Sequence, residues 1–139
     1  MDWGAVWTGV GPLVGVVVGG VITLRTTVWQ VKKQQETARR DAWYDEVMAV
    51  GEQAAEAVRR YNDIGQSFEG APAFLREMMR LTHSCMLHGQ DELTAPLGEL
   101  ARTASLPAGK QETVVAIDEK ISDVIEAARG LAVKGPPRR

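Results

Sequence analysis

The sequence predicts an all-α protein: an N-terminal transmembrane helix that continues into a long helix, followed by a small cytoplasmic helical bundle. Three observations predict it. Trp3–Leu24 contains no charged residue. Apolar residues after Trp43 recur at intervals of three and four, the helical period. Strand signals are nearly absent, since the valine run Val16–Val18 lies inside the uncharged stretch and no Asn-Gly or Asp-Gly turn joins alternating segments.

The net charge of -2 over 139 residues conceals a strong segregation. Arg25–Arg40 carries five Lys/Arg against one acid, and from Asp41 onward eleven basic residues face sixteen acidic ones. With a single cysteine, this layout argues against an ordinary soluble globule, a basic nucleic-acid binder and a disulfide scaffold. Four segments are expected: span 1–24, basic juxtamembrane stalk 25–42, helical bundle 43–132 and disordered tail 133–139.

Trp3–Leu24 is 22 residues long, and a spanning helix needs about 20. Trp3 and Trp7 at one end and Trp29 at the other suit the headgroup level, and Arg25 can snorkel from the helix end. A cleaved signal peptide would want a basic leader, a shorter apolar core and a small-residue cleavage site, and Arg25-Thr26-Thr27 offers none. Arg25, Lys32, Lys33, Arg39 and Arg40 all follow the span. The positive-inside tendency therefore puts the N-terminus outside the cell membrane and the rest in the cytoplasm. There, Cys85 would be a free thiol.

Gly4, Thr8, Gly11, Gly15 and Gly19 follow spacings of 4, 3, 4 and 4. At about 100° per residue they share a sector of roughly 80°. Such a stripe lets two helix backbones approach closely, so it predicts transmembrane packing. The stalk lacks Gly, Pro and a core face, and its basic residues can serve as a topology signal or attract anionic headgroups.

In the bundle, Trp43, Val47, Val50, Ala54, Ala57 and Tyr61 form a heptad-like, coiled-coil seam, and Asn62, Gly65 and Gly70 mark the end of that helix. Pro72 introduces a second helix, Ala73–His88, whose expected apolar stripe is Leu75, Met78, Met79, Thr82, Cys85 and Met86, with Gly89 as a cap. A third helix, Thr94–Ala104, presents Leu93, Leu97, Leu100 and Ala104. Ser105–Gly109 is a turn. A fourth helix, Gln111–Ala132, presents Val114, Ile117, Ile121, Val124, Ala128 and Leu131.

Chemistry-bearing patterns were sought along the whole chain. His83, Cys85 and His88 supply ligand types for zinc. His83 and His88 nevertheless stand about 140° apart on a helix, which argues against one shared ion. Phosphate loops, Ser-nucleophile elbows and metalloprotease motifs do not occur. Glu52, Glu56, Asp118 and Glu119 read as solvated helix faces, with Asp118 placed for a boundary ion pair. No catalytic residue, metal, cofactor, nucleic acid or small-molecule substrate is expected.

Gly11–Leu24, Gln30–Arg40 and Trp43–Tyr61 together resemble a loose class of uncharacterised bacterial single-pass proteins. That class has a Gly/Val-rich N-terminal anchor, a polar stalk rich in Arg, Lys and Gln, and an aromatic residue opening an Ala/Val/Glu helix. The stalk here is less Arg-dense. The resemblance covers the first 61 residues and implies a membrane-anchored helical protein with no activity.

The expected function is a non-enzymatic interaction or structural protein, tethered to the lipid bilayer and self-associating as a homo-oligomer. Gly11, Gly15 and Gly19 would pack the span, while Trp43, Val47 and Tyr61 would form the cytoplasmic seam. A membrane-permeabilising, holin-like or toxin-like protein is one alternative. Thr8 and Thr23, the only hydroxyl-bearing residues of Trp3–Leu24, offer little to line a water path. An accessory subunit bound to a larger membrane-protein partner is the other.

Overall fold

A computed structural model describes residues 3–64, 70–105 and 110–137, with side chains over 16–64, 70–105 and 112–137. Among the described residues the protein is all-helical, as the hydropathy periods predict. The helices are α1 (Trp3–Asp63), α2 (Ala71–Leu87), α3 (Thr94–Ser105) and α4 (Lys110–Lys134), and a 3₁₀ turn, Asp91–Leu93, lies between α2 and α3. The chain divides into two compact units between Arg39 and Arg40. The sequence puts that boundary at 42/43, and Trp43 is the first buried side chain among the described residues.

Helix ends follow from local chemistry. Pro72 sits in the first turn of α2, where its missing N–H costs nothing. At the other end Gly89 takes φ 71°, and the Gln90 N–H donates to the Cys85 carbonyl at 2.8 Å, closing a Schellman motif. Helix α4 runs through Val133 and Lys134, two residues past its predicted end. Gly135 stops it with φ 83° and an N–H bond of 3.2 Å to the Leu131 carbonyl. Residues 65–69, 106–109 and 138–139, which hold the Gly65 stop, most of the expected Ser105–Gly109 turn and the end of the tail, lie outside the described residues.

The unit from Arg40 onward is an antiparallel four-helix bundle. Tyr61 stacks on Phe74 with ring centroids 4.9 Å apart, Arg80 donates to Gln53 at 3.1 Å, and His88 pairs with Glu46. Numbers fall along α1 as they rise along α2, so the two run antiparallel. Helix α4 lies against α1 in the same sense. The Trp43 indole N–H donates to the Leu131 carbonyl at 3.3 Å, and a Cβ built on Gly51 would stand 3.6 Å from the Ala128 Cβ. Helix α3 packs on α2 and α4.

The core contains Met78, Leu93, Leu97, Leu100, Ile117 and Val124, all without exposed surface. Each such side chain contributes about 1.5–3 kcal/mol of burial. Helix α2 corrects the sequence reading. Its buried residues are Phe74, Met78, Leu81 and Cys85, while Met79 is 72% and Met86 57% exposed. The apolar band of α2 is wider than one stripe, and the Tyr61–Phe74 stack selects which edge turns inward. Val58, Phe74, Leu81, Gln90, Thr113 and Ala132 are buried residues that the periodicity did not select.

Candidate functional site

Within the bundle, the residues expected as helix-seam contacts are used internally. Trp43, Val47, Val50, Ala54, Tyr61, Ile117 and Val124 are buried in the chain's own core, and Ile121 is half-buried against it. They cannot also form the surface of contact with another copy. Helices α2, α3 and α4 complete the layer around α1.

The polar groups of the bundle are arranged pairwise. Glu56 accepts both Arg59 and Arg60 at 3.3 Å. Arg80 holds Glu77 at 2.6 Å, and its hydrogen bond, set against a smaller burial effect, lowers the Glu77 carboxyl below its ordinary value. These contacts lie along an open groove between α1 and α2 lined by Glu52, Gln53, Glu56, Arg59, Arg60 and Glu77. Exposed pairs of this kind are each worth about 0.2–1 kcal/mol, and the groove reads as a hydrated helix junction. Glu52, Asp118 and Glu119 are exposed. No ion pair forms at Asp118 among the described residues, because its side chain points to water.

His83 and His88 are exposed, whereas Cys85 between them has no exposed surface. Burial, with the charges of Asp91 and Glu46 adding, pushes the Cys85 thiol up to about 11. Such a thiol is a small apolar core residue, since the thiolate that binds metal or attacks an electrophile is disfavoured. Nearby Gln90 is 1% exposed, and its Nε2 has no hydrogen-bond partner among the described residues. Among those residues no three His, Cys, Asp or Glu side chains converge as a metal would require.

The N-terminal unit has the opposite character. From Val16 to Ala42 every side chain is exposed. Val16, Val17, Val18, Val21, Ile22, Leu24, Val28, Trp29 and Val31 each leave 45% or more of their surface uncovered. The hydroxyls of Thr23, Thr26 and Thr27 each donate to the carbonyl four residues earlier at 2.8 Å. These three hydroxyls are thus satisfied by the helix itself. The Lys33 ammonium stands 5.0 Å from the Trp29 ring centroid, a cation–π distance.

Among the described residues no helix is long and apolar enough to cross a membrane. The expected span Trp3–Leu24 enters the described side chains only at Val16. Trp3, Gly4, Trp7, Thr8, Gly11 and Gly15 are within α1, and their side-chain surroundings lie outside the described residues. Of the stripe, Gly19 is described, and a Cβ built there or on Gly20 meets nothing within 4 Å. The interface residues Arg25, Trp29, Lys32 and Lys33 are all exposed on α1.

Compared with family models, curated proteins and solved structures, the chain matches none.

Proposed function

We propose that the protein is a non-enzymatic, single-pass membrane-anchored interaction protein whose N-terminal helix self-associates through its glycine-bearing face. In this reading the N-terminus lies outside and the bundle is held on the cytoplasmic side, as the basic flank after Leu24 favours. One observation carries the proposal: the large apolar side chains of Val16–Val31 stand uncovered among the described residues. Water is an unfavourable neighbour for such a surface at about 25 cal/mol per Å², whereas lipid is not. The uncharged run back to Trp3 supports the same environment. Open space at Gly19 and Gly20 supports close helix approach, because no described side chain makes use of it.

The heptad seam is buried within the bundle's own core. Self-association then rests on α1. The test expresses the full chain and extracts membranes at alkaline pH, then measures proximity between labelled copies in the bilayer. The protein is expected to stay with the membrane, and Gly15→Ile with Gly19→Ile is expected to reduce association at least several-fold while leaving extraction unchanged. Release into the alkaline supernatant overturns the anchor. Unchanged proximity in the double variant overturns the glycine contact.

A further inference from the structure

Charges on α1 between Arg25 and Arg40 are one-sided. At about 100° per residue, Arg25, Lys32, Lys33, Arg39 and Arg40 fall within a sector of roughly 120°, with Trp29 and the single acid Glu36 among them. The opposite side carries Thr27, Gln30, Gln34 and Ala38, with no charge. A topology signal counts basic residues and is indifferent to the face they occupy. One-sidedness therefore has a second cause.

Along the basic face, apolar and cationic groups are zoned. Val21, Leu24, Arg25, Val28, Trp29 and Lys32 line one shallow groove. Arg25, Lys32 and Lys33 make no ion pair among the described residues, whereas the ion pairs of the bundle begin at Glu46. We propose that this groove binds one anionic glycerophospholipid in the leaflet on the C-terminal side of the span. Its acyl chains lie along Val21 and Leu24, and its phosphate sits between Arg25 and Lys32, with Trp29 and Lys33 at headgroup level. Arg25 and Lys32 are about 10 Å apart along the axis, a gap that two long side chains reaching toward one headgroup close. Arg39 and Arg40 stand roughly 22 Å past Leu24, beyond the headgroups and a Debye length of about 8 Å, and belong to no such site. A single groove with cations on one side fits one bound lipid better than a uniform annulus. The proposal rests on the anchored reading of α1.

The test reconstitutes the full chain in phosphatidylcholine bilayers and measures motional restriction of spin-labelled phosphatidylglycerol against spin-labelled phosphatidylcholine. A selectivity of roughly fivefold for the anionic lipid is expected, the effect of about one well-placed cation. It should fall toward one in the Arg25→Gln/Lys32→Gln/Lys33→Gln variant and persist in Arg25→Lys/Lys32→Arg/Lys33→Arg. Equal restriction of the two lipids by the wild-type chain, or unchanged selectivity in the glutamine variant, overturns the lipid site. Flotation with pure phosphatidylcholine vesicles after alkaline washing reads the anchor separately. A chain that floats without selectivity overturns the lipid site alone; one that does not float overturns the anchor and the lipid site together.

Discussion

Val47 and Val21 are both valines on α1, yet Val47 has no exposed surface and Val21 keeps 53% of its own. Neighbours explain the difference. Val47 belongs to one core with Met78 of α2, Leu97 of α3 and Val124 of α4. Around Val21 the described residues supply only α1 itself. The same residue type in the same helix is thus a core residue in one unit and an uncovered surface in the other. Helix formation alone does not decide which, because both stretches are helical. What decides it is whether the chain returns to cover the apolar face.

The largest expected effect tests that contrast directly. Leu97→Ala removes a side chain with no exposed surface and leaves a cavity, so the bundle should lose about 2–5 kcal/mol. Val21→Ala removes similar apolar atoms from an uncovered helix face and should change bundle stability by less than about 0.5 kcal/mol. Alkylation of Cys85, buried and the chain's single thiol, reports opening of the bundle as urea is raised. Comparable shifts for the two variants would erase the distinction between the units.

How much of this was readable in advance depended on whether a stripe was narrow. Ile117, Val124, Ala128 and Leu131 stand out on α4 because charged residues flank them, and they are buried. Leu93, Leu97, Leu100 and Ala104 are equally clear and equally buried. Helix α2 is less legible, because Phe74, Leu75, Met78, Met79, Leu81, Cys85, Met86 and Leu87 span about two thirds of its circumference. Only the partner ring at Tyr61 and the close fit around Met78 choose Phe74 over Leu75 and Leu81 over Met79. Gln90 carried no hydrophobic signal at all, and its burial follows from the turn that Gly89 creates. For the N-terminal helix, the uncharged run and the glycine spacing were legible. Burial periodicity could not indicate the one-sided basic face beyond Leu24, because nothing there is buried.

A second, intermediate effect sharpens the meaning of burial at Cys85. Its thiol is held at about 11 when folded against an ordinary 9.0. Below pH 9 both folded and unfolded thiols are protonated and contribute no difference. Between the two values the unfolded chain sheds the proton while the folded chain keeps it, so the unfolded state binds fewer protons. Stability therefore falls as pH rises, by up to roughly 2–3 kcal/mol across that window. Urea unfolding followed by tryptophan fluorescence should show this alkaline loss in the wild-type chain and a flatter dependence in Cys85→Ala. An identical slope in both would mean that the thiol is solvated.

The smallest effect separates two kinds of glycine. A Cβ on Gly98 or Gly130 meets nothing within 4 Å, and the same is true of Gly19 and Gly20. In the bundle, Gly98 and Gly130 are exposed positions inside α3 and α4, where glycine costs about 0.5–1 kcal/mol relative to alanine through backbone entropy. Gly98→Ala and Gly130→Ala should each raise urea stability by that amount, with no neighbour to oppose them. Gly51 differs: the 3.6 Å approach to Ala128 makes alanine an ordinary contact there, and any larger side chain would push α1 from α4. On the uncovered stretch of α1 the same alanine substitution at Gly19 should leave urea stability of the bundle unchanged and lower self-association in the bilayer. Open space in the isolated chain then has opposite consequences in the two units. In the bundle it marks a glycine that alanine improves; on the apolar helix it marks room that a second helix uses. If Gly19→Ala left association intact while Gly98→Ala stabilised the bundle, the glycines of both units would be equally dispensable.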